Sequence, residues 1–334
     1  MRFQSKSLGL FVLVFFCYLT LFAQLSIKFD LKIIQSQKAI KLNLINPSVL
    51  TCSVDKKIFI VDSGDSQIKE YGNNFNYIRA FSGKGEGPGE LSGKVFLIAA
   101  NGNGIIVVVD ILKYNFIVFT QDGKYQNSFK IEQNDFFPES IVLDSNNNIY
   151  FLTSSKLFKY TDKGKKILAV TVKSKKSKEN FYYMYQKYMT IYDNKYLYIF
   201  FNDEYKIEKR DLQGNLVSSF IDPTFERIPY QPEEFINKQH ELAVKSSPVK
   251  IYPNIASNII TYKDYLLIIL KPRAKWKFKK RVDVFDLVNE KLVARLEDEK
   301  FDLLNNCTIE QNTVYSLQEK SDDWYLIKSV LSIK

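Results

Sequence analysis

The chain has 334 residues, 46% hydrophobic and 25% charged, with 26 Phe and 21 Tyr against 13 Gly and 9 Pro. This excludes a disordered or low-complexity chain, suffices for one large domain or two ordinary ones, and favours strands over helices. The 47 Lys and Arg outnumber the 37 Asp and Glu for a formal charge of +10, and a single histidine, His240, argues against histidine-rich zinc sites and Cys–His nucleophiles.

Residues 1–23 read as a signal peptide. Arg2 and Lys6 supply the positive end, Leu8 to Phe22 is uncharged and apolar, and Ala23 is a small residue at a cleavage point. The run is short of the roughly 20 residues of a membrane span. Leu21 is larger than the cleavage site prefers, so an uncleaved anchor is the alternative. Cys17 follows Val14-Phe15-Phe16, not the small residue that a lipidation motif wants. The expectation is an exported chain (periplasmic, secreted or cell-surface) with no membrane span after cleavage. Its net charge falls to +8 once Arg2 and Lys6 are gone. Export sets nucleic acid aside and leaves a protein, a glycan or an anionic envelope component as partner.

Residues 24–334 read as one domain built from a repeat. Ile27 to Ile34 alternates apolar and charged residues, a half-exposed strand. The first unit runs from Asn46-Pro47-Ser48 through Ile58-Phe59-Ile60-Val61-Asp62 and Gln67 to Tyr71, turns at Gly72-Asn73-Asn74, and ends with Tyr77 to Phe81. The second repeats it as Phe96 to Ala100, Ile105 to Asp110, Phe116 to Phe119 and Tyr125 to Phe129. Asp62 and Asp110 close equivalent strands 48 positions apart, within the roughly 40–50 residues of a propeller blade. Further units centre on Ile149 to Leu152, Tyr196 to Phe201, Tyr265 to Leu270 and Val314 to Leu317. No unit carries a sustained helical period.

Six such units make an all-β, six-bladed β-propeller of four-stranded antiparallel blades, which leaves only short, protected edges. The sixth unit lacks a fourth strand and the Ile27–Ile34 strand is spare, so pairing them closes the ring.

Between the first two units lies Gly83-Lys84-Gly85-Glu86-Gly87-Pro88-Gly89-Glu90-Leu91, the densest glycine run in the chain. It reads as a structural inter-blade loop, with several glycines free to take φ > 0 and Pro88 fixing one φ. It lacks the Gly-Lys-Ser/Thr end and following helix of a phosphate loop. With the repeated units, this loop resembles exported six-bladed β-propeller proteins related to NHL repeats, which carry a Gly-x-Gly-Pro-Gly-Glu-Leu/Phe loop after a blade. The match is strongest over 46–129. The resemblance implies a propeller, export, and for most members no assigned activity.

Two stretches depart from the period. An insertion at about 221–254 carries five prolines and a short helix candidate at Glu233 to Leu242. The aromatic run Phe181 to Tyr188 precedes the fourth unit. Long loops on a rigid scaffold are where binding usually lives, so Tyr182, Tyr183 and Tyr185 are candidate partner contacts. A basic hairpin, Lys275, Trp276, Lys277 and Phe278, interleaves cations with rings that could stack on a sugar or grip an acidic surface. A half-buried strand with outward lysines gives the same pattern.

Asp62, Asp110 and Asp144 recur at repeated positions, which suggests turn and cap roles. Cys52 and Cys307 read as two buried free thiols, with one disulfide as the alternative. The function expected is a monomeric binding or interaction module with no cofactor and no assignable reaction. The alternative is a metal-dependent hydrolase or lyase, with calcium or another oxygen-ligated ion in the central channel.

Overall fold

The computed structural model describes residues 31–35, 40–101, 104–131, 138–172, 186–222, 225, 256–270, 280–304 and 306–333. Two N-terminal strands, β1 (Leu31–Gln35) and β2 (Ile40–Leu42), precede the first blade. Blade 1 runs outward through β3 (Pro47–Cys52), β4 (Ile58–Asp62), β5 (Gln67–Tyr71) and β6 (Tyr77–Phe81). Blade 2 repeats it with β7 (Val95–Ala100), β8 (Ile105–Asp110), β9 (Asn115–Thr120) and β10 (Tyr125–Lys130). Blade 3 comprises β11 (Pro138–Leu143), β12 (Ile149–Thr153), β13 (Lys156–Tyr160) and β14 (Lys166–Thr171). Blade 4 has β15 (Lys187–Tyr192), β16 (Tyr196–Phe201), β17 (Lys206–Asp211) and β18 (Leu216–Ile221). Blade 5 has β19 (Ala256–Tyr262), β20 (Tyr265–Leu270), β21 (Arg281–Asp286) and β22 (Lys291–Glu297).

The last blade combines β23 (Cys307–Glu310), β24 (Thr313–Lys320) and β25 (Asp323–Ile333) with the N-terminal strands. β1 pairs with the far half of β25, Leu31 opposite Ile333 and Gln35 opposite Ser329. β2 pairs with its near half, Ile40 opposite Leu326 and Leu42 opposite Trp324. The ring closes by mixing both ends of the chain, as the spare strand suggested. The closing segment reaches further along the chain than the alternation at Ile27 to Ile34 indicated. The result is a six-bladed propeller of antiparallel sheets.

The second strand of each blade explains its own composition. Ile58 to Asp62 and Ile105 to Asp110 are buried at every position. Successive side chains point to opposite faces of a strand, so each such strand feeds two neighbours. Ile58 and Ile60 enter the cluster shared with the closing blade, while Phe59 and Val61 enter the cluster shared with blade 2. The same alternation places Ile106 and Val108 on one side of blade 2 and Ile105, Val107 and Val109 on the other. The core is therefore a ring of inter-blade clusters, which is why these strands read as unbroken apolar runs. Outer strands β10, β14 and β18 alternate exposed and half-buried residues.

Turn geometry repeats with the blades. The second turn of blades 1, 2 and 4 holds Ser66, Tyr114 and Tyr205 at φ between 48° and 60°. The third turn of blades 2, 3 and 4 places Gly123, Gly164 and Gly214 at φ from 81° to 83°, a region that suits glycine. Among the described residues no helix is long and apolar enough to cross a membrane.

Candidate functional site

Tyr182, Tyr183, Tyr185, Lys275, Trp276, Lys277 and Phe278 lie outside the described residues, as do His240 and most of 221–254. The start of that insertion is held down: Asp222 pairs with Arg295, and Phe225 stacks on Tyr205 with ring centroids 4.5 Å apart. The aromatic run is shorter than its sequence suggests. Lys187 and Tyr188 belong to β15 rather than to a loop. Lys187 is buried, with Nζ donating to Glu139 Oε2 at 2.8 Å and to the Ser154 carbonyl at 2.7 Å. Breaking such a buried pair would leave an uncompensated charge in the core.

The glycine run joins β6 to β7 and is closed on itself. Leu91 N donates to Gly83 O at 2.8 Å, Gly85 N to Leu91 O at 3.1 Å, and Glu90 N to Gly87 O at 3.1 Å. Leu91 is fully buried and pins the loop to the core. The Glu90 side chain folds back, its Oε2 accepting from Gly87 N at 2.6 Å. That carboxylate explains two glycines: a Cβ on Gly85 would overlap it, and one on Gly87 would sit 3.0 Å from it. Within Gly83 to Leu91 only Gly89 takes φ > 0, at 77°. The others serve close approach rather than left-handed backbone, a correction to the sequence expectation. Pro88, Lys84 and Glu86 face solvent.

Lys113, in the turn between β8 and β9, clamps the loop from below. Its Nζ donates to the Gly85 carbonyl and, at 3.1 Å, to the Glu90 carbonyl, with the Glu86 carboxylate 3.6 Å away. Loop, turn and outer strand β10 then enclose a groove of about 620 Å³. Gly89 abuts Tyr125, whose hydroxyl lies 3.2 Å from Ser128 Oγ. Leu112, Tyr114 and Tyr125 line the groove and are 56%, 37% and 39% exposed. No motif points to this convergence, because its walls come from three separated turns and strands. The glycine run alone marks its place.

The recurring acids are structural. Asp62 accepts from Asn46 N at 2.8 Å, Ile45 N at 2.9 Å and Lys69 Nζ at 2.7 Å. Asp110 accepts from Ser92 N at 2.6 Å and from the Ser92 hydroxyl. Each carboxylate fastens the incoming loop to the blade's second strand. Asp144 instead caps its own turn, accepting from the Asn146 and Asn148 amides at 2.9 and 2.8 Å. Around the channel, inner strands are stitched by small hydroxyls. Met189 N donates to Ser140 Oγ at 3.2 Å, and Thr190 Oγ1 lies 3.3 Å from Thr261 Oγ1. Among the described residues no group of three or more His, Cys, Asp or Glu is placed to hold a metal ion. Cys52 and Cys307 are free thiols, Cys52 buried as expected and Cys307 only half-buried. Burial raises Cys52 to about 12 and also pushes Cys307 up.

No protein-family model and no curated protein sequence matches the chain. Solved structures do resemble it. A Bacteroides fragilis protein designated as exported has TM-score 0.56 and 12% identity, over 92% of this chain and 95% of that one. Virginiamycin B lyase from Staphylococcus aureus, solved with quinupristin, has TM-score 0.54 and 12% identity, over 90% and 99%. The WD40 repeats of RRP9 have TM-score 0.53 and 8% identity, over 91% and 100%. At these identities the likeness is one of fold: this chain shares the propeller architecture of proteins with unrelated roles.

Proposed function

We propose that the protein is an exported binding module, of the NHL-like propeller kind, that recognises its ligand in the groove between the glycine loop and β10. The observation that carries this reading is a rigid concave wall with exposed rings beside it. Every hydrogen bond of the loop described above is internal or made to Lys113, so the wall is set before any ligand arrives. Aromatic side chains of about 40% exposure around a pocket offer contact area at small entropic cost. Export is supported by the basic and apolar N-terminal run. It also fits the designation of the B. fragilis structural neighbour.

A hydrolase or lyase with an oxygen-ligated ion in the channel needs several carboxylates or amides converging there. The inner-strand acid Glu139 is committed to Lys187 instead. The test is an array of defined peptides and glycans probed with the purified protein and with Tyr125→Ala. Retention by the intact protein alone supports the groove. Equal retention by a folded variant moves recognition elsewhere on the ring.

A further inference from the structure

We infer that the groove beside the glycine loop takes a neutral saccharide, with a pyranose ring lying against Tyr125; this rests on the groove being the recognition site. The charges in the groove balance, Lys113 and Lys130 against Glu86 and Glu90. Lys113 is held by two loop carbonyls and faces Glu86, Lys130 Nζ donates to the Lys113 carbonyl at 2.9 Å, and Glu90 accepts from Gly87 N. Two cations face two carboxylates, so the groove holds no net charge to draw an ionic ligand.

The loop wall offers a peptide no ladder. The amides of Gly85, Gly87, Glu90 and Leu91 and the carbonyls of Gly83, Gly85, Gly87, Glu90 and Leu91 are all used, and the Gly89 carbonyl accepts from Ser82 Oγ at 2.7 Å. Strand addition against that wall would find an interrupted set of groups, and an extended peptide would have to use the outer edge of β10 instead.

Along the outer edge of β10 the groove offers a ligand an exposed ring and hydroxyls. Tyr125 is backed on one side by Gly89, where a Cβ would come within 3.0 Å, so no larger residue could sit behind the ring. Its hydroxyl and that of Ser128 form a pair that can both give and accept hydrogen bonds. A neutral pyranose matches this set: its axial C–H face packs on an aromatic ring while its equatorial hydroxyls exchange hydrogen bonds with side-chain hydroxyls. The groove volume, about 620 Å³, lies within the range of small-ligand sites.

The experiment is calorimetric titration of the purified protein with maltohexaose, cellohexaose and laminarihexaose, beside dextran sulfate and an array-derived peptide as comparators. Tyr125→Ala and the groove-filling Ser128→Trp are titrated in parallel, each checked for an intact thermal transition. Ser128 is exposed on β10, so its replacement leaves the core alone. The expected result is binding of at least one neutral hexasaccharide that is insensitive to salt. Binding should weaken about tenfold or more in both variants. A peptide that binds and is lost in the variants, with no neutral saccharide bound, overturns the saccharide inference and leaves the groove reading standing. So does binding confined to dextran sulfate. A hexasaccharide bound equally by both folded variants overturns the placement at Tyr125. Should no probe respond to either variant, the groove reading falls as well.

Discussion

Gly123 of blade 2 lies directly over the ring of Phe81 from blade 1, and a Cβ built on it would come within 2.8 Å of the ring carbons. The relationship repeats in blades 3 and 4. Gly164 covers Phe129 at 2.6 Å, and Gly214 covers Leu168 at 2.8 Å. In blades 2, 3 and 4 the third turn thus rests on the outer strand of the preceding blade, and glycine serves both the left-handed backbone and the contact.

Gly123→Ala should therefore lower stability by about 2–4 kcal/mol, combining the left-handed penalty with overpacking. Gly83→Ala is the control, since no atom lies within 4 Å of its added Cβ. It should leave stability within about 1 kcal/mol of the parent. Urea unfolding of both variants checks the pair, and equal losses would remove the packing explanation.

Asp62 supplies an acid-side prediction. Burial alone would raise its carboxyl, but Lys69 and the amides of Asn46, Ile45 and Gly64 outweigh that and hold it below the ordinary carboxylate range. The unfolded chain keeps a value of about 4. The stabilisation is thus complete above about pH 4 and is lost as pH falls through the lower folded value. Asp62→Asn should cost about 2–3 kcal/mol at neutral pH by leaving Lys69 partly unpaired. Its acid unfolding should also be shallower than that of the parent. Urea melts at neutral and acid pH measure both, and identical pH slopes would contradict the assignment.

Deleting residues 31–42 should unseat the whole ring. Leu31, Ile33 and Leu42 are each at most 6% exposed, and burying such side chains is worth about 2 kcal/mol apiece. With the lost ladder, a fall in Tm of more than about 10 °C is expected by thermal unfolding. A truncated chain melting like the intact one would mean that the N-terminal strands only decorate the last blade.

The raised thiols predict chemical silence. At pH 8 the native protein should resist alkylation at Cys52, whose burial pushes it to about 12. Both cysteines should label fully in denaturant without reductant. Mass spectrometry of the labelled peptides decides this, and labelling that needs prior reduction would reveal a disulfide instead.

Thermal unfolding with and without a chelator tests the channel-ion alternative. No shift is expected. A drop restored by calcium would identify a bound ion, because a ligand of the native state stabilises it by mass action, and the hydrolase or lyase reading would then lead.

The blades were legible in the sequence where local signals coincide with the architecture. The runs Ile58 to Val61 and Ile105 to Val109 announce buried second strands, and Asp62 and Asp110 recur because each must catch the loop entering its own blade. Outer strands β14 and β18 are weaker in sequence, since Ile167, Leu216 and Val217 expose apolar side chains and blur the alternation. The groove was invisible for a different reason. Lys113 and Tyr125 become neighbours of the glycine loop only when the turn after β8 and the start of β10 converge on it. Nothing in the spacing of Gly83 to Leu91 records that convergence. The expectation of left-handed glycines failed at Gly85 and Gly87 because the constraint there is the folded-back Glu90 carboxylate, a side-chain contact rather than a backbone preference.

The composition of the last blade also sets a schedule. Its strands come from residues 31–42 and 307–333, so no closed ring can exist until residue 333 is free to pair. A chain threaded N-terminus first through a membrane would arrive with β1 and β2 waiting for a partner that emerges last. On such a route the ring would stay unlatched until β25 followed, and the latch would form on the far side.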